Sequence, residues 1–207
     1  MKILRYISIL SAMLLACTAA SARGSLFRYG VEWGYTPMVY EAHHLNYIAR
    51  EGFRVDDNDS GGKFNSNALL LMDFGVNLTD NFSLGLYFGY AGLSEDNRVL
   101  PLSMRMTWFP KGITTDGFMC YAEAGAGFHL PWQDVPKRNA AFLASAGAGY
   151  HLALSRSMGL DFQIGLRESL DHALIPEPDG SGYVSGQNIR KNNTAYSALN
   201  ITIGLTF

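Results

Sequence analysis

The sequence predicts an all-β chain: an eight-stranded antiparallel up-and-down transmembrane β-barrel that follows an N-terminal signal peptide. Three observations lead there. Eight separate segments have apolar residues at every second position, and period two is the mark of a strand. The 207 residues include only 16% charged ones while 48% are hydrophobic, whereas soluble domains carry about 25% charged residues. The connections between the segments run alternately short and long. Such a composition excludes intrinsic disorder, which needs low hydrophobicity and high net charge. A net charge of −2 offers no basic face, so no nucleic-acid partner is expected.

The first element is an export signal. In Met1–Ala22, Lys2 and Arg5 precede the short apolar stretch Tyr6–Ala16, and Ala20-Ser21-Ala22 has the small-x-small form of a cleavage site. The apolar run is too short for a membrane-spanning helix, which needs about 20 residues. Leu14-Leu15-Ala16-Cys17 offers a competing lipoprotein reading, with Cys17 as the lipidation site. Cleavage after Ala22 is the preferred reading and leaves 23–207 as the barrel. Of the two cysteines only Cys120 then remains, so no internal disulfide is expected.

The strands follow in order. The first has Phe27, Tyr29, Val31, Trp33 and Tyr35 on its apolar side. The second has Ala68, Leu70, Met72, Phe74, Val76 and Leu78, and the third Phe82, Leu84, Leu86, Phe88 and Tyr90. The fourth has Leu102, Met104, Met106 and Trp108, and the fifth Phe118, Cys120, Ala122, Ala124, Ala126 and Phe128. The sixth has Phe142, Ala144, Ala146, Ala148, Tyr150 and Leu152. The seventh has Leu160, Phe162, Ile164 and Leu166, and the last Leu199, Ile201, Ile203, Leu205 and Phe207. No apolar set contains a charge. The opposite sets mix Gly, Ser and Ala with single charged residues, as a wall with lipid outside and a polar lumen requires. Closure into a barrel satisfies every backbone group, which hydrocarbon demands.

The connections fall near 41–64, 79–81, 94–98, 110–116, 129–139, 155–157 and 171–193. With both termini at the short-turn end, the two longest connections, 41–64 and 171–193, lie at the opposite end. The 94–98 connection is short for that end. Most apolar-side aromatics fall near one end or the other, as interfacial girdles require; Trp33 is an exception. Pro101, on the inner side of the fourth strand, lacks a ladder donor and is expected to mark a strand end or a bulge. A soluble, lipocalin-like barrel would instead turn the apolar sides inward. Its surface would then be Gly, Ser and Ala with few charges, which suits water poorly.

Eight alternating strands, a signal peptide and the closing ALNITIGLTF, with its terminal Phe207, resemble the small eight-stranded outer-membrane barrels of Gram-negative bacteria. More narrowly, the chain resembles the porin-family "outer membrane protein β-barrel domain" group. The resemblance covers about 27–207 and is one of pattern. It implies an outer-membrane location, outer-membrane lipid around the wall, and recognition of Phe207 by the barrel-assembly machinery.

Seven charged residues are expected inside: Arg28, Arg105 and Arg167 against Glu32, Asp73, Glu123 and Asp161. Glu32, Asp73, Arg105 and Glu123 fall at similar heights, with Arg105 and Glu123 at the centre of a network. Glu32, Asp73, Glu123 and His151 could be read as a metal or proton site; a structural lumen lattice is preferred. Asp56–Gly62 has a calcium-loop spacing of oxygen ligands, but position twelve is Asn67 and a solvated acidic loop is preferred. His43 and His44, adjacent on an extended strand, would face opposite ways. Trp132 is read as an exposed contact or a fold-over at the mouth. Some eight-stranded barrels deacylate lipid A with a His-x-Ser-Asn signature. Here Ser169 and His172 are three apart and face opposite sides, which separates nucleophile from base. No catalytic, cofactor or metal residue is expected. The expected role is adhesion, envelope stabilisation or partner docking through 41–64 and 171–193, with a lipid A hydrolase and a narrow passive channel as alternatives.

Overall fold

A computed structural model describes residues 26–94, 97–130, 139–155 and 157–207. The segment read as an export signal, including Cys17, and Trp132 lie outside the described residues. Among the described residues ten strands form: β1 Phe27–Tyr35, β2 Met38–Ile48, β3 Arg54–Asn65, β4 Ala68–Asn77, β5 Phe82–Gly92, β6 Arg98–Trp108, β7 Gly117–His129, β8 Ala141–Ala153, β9 Gly159–Asp171 and β10 Ile189–Thr206. All pairings are antiparallel. β1 and β4–β10 pair in sequence, and β10 pairs back on β1, so eight strands close a barrel in up-and-down order.

β2 and β3 are not part of that wall. The first long connection, expected to be a loop, is a two-stranded ribbon continuing the axes of β1 and β4. No strand signal marks it because nearly all of β3 is exposed and β2 is mostly half-buried or exposed. Period-two hydrophobicity appears only where one face is buried. Its tip turns through Ala49–Phe53, where Ala49 N–H donates to Phe53 O (2.9 Å). Gly52 supplies the positive φ of 91° that the tight reversal needs.

The ribbon stands where it does because the barrel is staggered. Registered partners run from Val31 through Met72, Phe88, Leu102, Ala126, Phe142, Leu170 and Ala195. Ala195 then pairs with Ala42 rather than Val31, a return about ten residues further along, as strand tilt requires. β10 therefore rises above the end of β1, and β2 supplies the partner for its upper half. β10 is correspondingly longer than expected, and the last connection shrinks to 172–188.

Inside-outside alternation is regular, most plainly in β6, where exposed and buried residues alternate without a break. Phe74, Leu86 and Ile164 are 53%, 43% and 58% exposed on the outer wall. Arg28, Glu32, Asp73, Arg105, Glu123, Asp161 and Arg167 are all buried in the lumen. Pro101 marks neither a strand end nor a bulge, contrary to expectation. β6 runs through it, and pairing with β5 lapses between Phe88↔Leu102 and Ala91↔Val99 without a change of register. The wall tolerates one missing donor because Pro101 still pairs with Gly127 on the other side.

The lumen is stratified. Towards the short-turn end, and up to its middle, it is charged. Towards the long-connection end it holds an apolar cluster of Met38, Leu69, Leu71, Tyr87, Ala91, Leu93, Val99, Ala141, Leu143 and Tyr196. The inward set is therefore not polar throughout.

Candidate functional site

The lumen lattice centres on Arg105, from the middle of β6 and 1% exposed. Cross-strand register sets Glu123 of β7 directly opposite it. Arg105 Nε donates to Glu123 Oε2 at 2.8 Å, and its other terminal nitrogen lies 2.6 Å from the same oxygen. Its NH1 group donates to Glu32 Oε2 at 2.5 Å and to Gln163 Oε1 at 3.0 Å. The rings of Tyr87 and Tyr121 cover the guanidinium, with centroids at 4.0 Å and 4.4 Å. The charge thus has carboxylates in its plane and aromatic faces above and below, a geometry suited to a flat guanidinium.

Glu123 is shared. Its Oε1 accepts from Ser103 Oγ at 2.6 Å and lies 3.6 Å from Arg167. Arg167 is held more loosely: among the described residues its guanidinium nitrogens find no hydrogen-bond acceptor. Glu32, Arg105, Glu123 and Arg167 thus form one cluster. Asp73 pairs instead with Arg28, at 3.5 Å, and lies opposite Gly30 of β1. Arg28 also donates to Ser83 Oγ (3.1 Å) and to Tyr87 OH (2.7 Å). Asp161 stands apart again, 2.5 Å from His151 Nδ1, with Phe109 packed edge-on against the imidazole at 5.2 Å. The lumen therefore brings the seven residues together in three groups. Each group has its opposite charge or imidazole in place, as burial of ions requires.

Sequence reading missed the residues between these charges. Tyr87, Tyr121 and Gln163 lie on the inward parity of their strands, so the alternation contained them, but nothing in it marked them as partners of Arg105. A cavity of about 560 Å³ opens at the short-turn end, reaching Arg28 and His151. The apolar cluster lies between the Arg105 lattice and the opposite end.

At the long-connection end a second set of contacts builds a surface. Asn97 donates to Asp171 Oδ2 (2.7 Å), and His129 bridges the two, 3.0 Å from Asn97 Oδ1 and 3.0 Å from Asp171 Oδ1. Tyr47, Ala49, Ile175 and Val184 form a small apolar core, flanked by Leu45, Val55 and Ile189, that docks the 172–188 connection on the ribbon. Arg50 N–H donates to Glu177 Oε2 at 3.1 Å beside it.

The ribbon redistributes the residues read as a calcium loop. Asp56–Gly62 lies within β3, so successive side chains face opposite sides and cannot converge on one ion. His43 and His44 also point apart. His43 meets Asp57 (3.2 Å) and Glu41 (3.8 Å), whereas His44 meets Asp56 (3.3 Å) and Lys191 (3.1 Å). Among the described residues no group of three or more His, Cys, Asp or Glu has an arrangement that could hold a metal ion. Ser169 is buried in the lumen while His172 is exposed beyond the end of β9.

The class defined by this architecture is a closed, eight-stranded antiparallel β-barrel with a side-chain-filled lumen and a largely apolar outer wall, on which Arg98 and Glu168 lie towards the long-connection end. No protein-family model matches the chain, nor does any curated protein sequence. Among solved structures it is similar to the outer membrane protein OprG from Pseudomonas aeruginosa (TM-score 0.49, 11% identity, 87% of this chain and 95% of that one). It is also similar to Neisserial surface protein A (TM-score 0.39, 11% identity, 86% and 95%). A third similar structure is the outer membrane protease OmpT from Escherichia coli (TM-score 0.40, 10% identity, 87% and 96%).

Proposed function

We propose that the protein is a non-enzymatic, integral outer-membrane barrel that docks a partner through its long-connection end. The observation that carries this is the division of the molecule into a sealed body and a built protrusion. Arg105 and its partners fill the middle of the lumen, and an apolar cluster lies beyond them, which argues against a wide pore. The ribbon and the 172–188 connection, by contrast, are ordered against each other by an apolar core of their own and stand clear of the wall. Ser169 inside and His172 outside argue against a hydrolase built on that pair.

The largely apolar wall suits hydrocarbon, and its aromatic pairs suit the interface. Phe27–Phe74 and Phe82–Trp108 stack at 6.1 Å and 6.3 Å near the short-turn end. Phe207 stacks on Tyr29 at 5.4 Å and exchanges backbone hydrogen bonds with it (2.8 and 3.1 Å), so it closes the β1–β10 seam. A residue that must zip the last seam is a sensible handle for the assembly machinery. In this reading both termini face the periplasm and the ribbon faces outward.

The test is surface labelling in intact cells. A membrane-impermeant maleimide should modify a Ser60→Cys variant and leave Asn81→Cys, at a short turn, unmodified until the cells are lysed. Lipid A should have the same mass with and without the gene, and purified protein should leave a planar bilayer silent. Labelling at Asn81→Cys alone, altered lipid A or discrete current steps would each reject the proposal.

A further inference from the structure

The β-ribbon ends in an uncovered strand edge. β3 is the last strand of the sheet, and among the described residues it pairs only with β2. Ten of its twelve residues are exposed, the exceptions being the half-buried Val55 and Asn65. The cause lies in the neighbouring connection. β4 is flanked by β5 up to Leu69↔Ala91, but β5 ends at Gly92 and the chain turns back through a short connection to begin β6 at Arg98. At the height of β3 there is no β5 left to pair with it. In an antiparallel strand every second residue turns both its N–H and its C=O away from the existing partner. β3 thus presents a run of such groups to solvent, a template for an added strand.

The charges on the edge select the occupant. Asp56, Asp57 and Asp59 lie in the same strand. Asp56 and Asp57 are already engaged by His44, Asn46 and His43 of β2. Asp59 meets only the Ser60 backbone N–H, at 2.8 Å, and no cation among the described residues. Asp57 and Asp59 share one face, about 7 Å apart along the strand. Arg54 and Lys63, near the two ends of the strand, are already met by Asp56 (3.8 Å) and Glu41 (3.0 Å), so the charge left over on the strand is negative.

We propose that β3 is a strand-addition site for an extended cationic segment of a partner, one with Lys or Arg at alternate positions facing Asp57 and Asp59. The inference rests on the docking reading above and names the edge and chemistry that would serve it.

The experiment uses the mature barrel folded in a zwitterionic detergent and a fluorescent peptide of alternating lysine and threonine, about ten residues long. The expected result is binding accompanied by slowed amide exchange at every second residue of β3. The triple substitution D56N/D57N/D59N, on the solvent-exposed edge, should weaken binding about tenfold at low salt. The same peptide methylated on alternate backbone nitrogens should bind at least as poorly, because it keeps its charge but cannot form the ladder. Equal binding of the methylated peptide would mean charge attraction alone and would overturn the proposal. So would no binding, protection confined to 172–188, or self-association of the barrel through β3. Protection at 172–188 would still leave docking at this end intact, whereas labelling of Ser60→Cys from the periplasm alone would remove both.

Discussion

Arg105 and Arg167 look alike in the sequence, both single charges on the inward side of a strand, yet the structure gives them unequal weight. Replacing Arg105 with Leu leaves Glu32 and Glu123 buried without their main cation and should cost about 3–5 kcal/mol. Replacing Arg167 leaves Glu123 still held by Arg105 and Ser103, so the expected loss is about 1–2 kcal/mol. Urea unfolding of the two variants in lipid vesicles, followed by tryptophan fluorescence, checks the order; equal midpoints would mean that the lattice is not centred on Arg105. That all seven charges lie inside was legible from parity, because a period of two assigns faces without any knowledge of the partner strand. Which charge meets which was legible only for Arg105 and Glu123. The rest depends on register and on which side chains reach across the lumen, and neither leaves a mark in a single strand. Asp73 thus pairs with Arg28 rather than with Arg105.

Strand existence was legible wherever one face is an apolar outer wall and the other faces the lumen, and illegible in the ribbon, where neither face is fully buried. The same physics makes the ribbon separable. Replacing residues 39–63 with a short glycine-containing turn should leave the barrel folded, with an unchanged shift in mobility between unheated and heated samples on a gel. Loss of that shift would show that the ribbon is needed for closure through its pairing with β10. Within the wall, inward glycines serve the aromatics beside them. A Cβ at Gly85 would lie 2.9 Å from the Tyr87 ring and 3.8 Å from Arg28. Gly85→Ala should therefore push Tyr87 off Arg105 and destabilise by about 1–3 kcal/mol. The double variant Gly85→Ala/Tyr87→Leu should show less than additive loss in the same unfolding assay; simple additivity would mean that Tyr87 has room to move.

For the molecule as a whole, the proposed role rests on one arrangement: the apolar outer wall faces hydrocarbon, and the charges of Arg28, Glu32, Asp73, Arg105, Glu123, Asp161 and Arg167 share a closed interior. A soluble barrel would reverse both faces, and no local contact distinguishes the two as sharply as the environment of the outer wall. Single nitroxide labels at Phe74, Leu86 and Ile203, with the barrel in lipid vesicles, report that environment through collisions with dissolved oxygen and with a water-soluble nickel chelate. The account predicts high oxygen and low nickel accessibility at all three positions, and little of either at a label on Ser103. High nickel accessibility at Phe74 and Leu86 would contradict it.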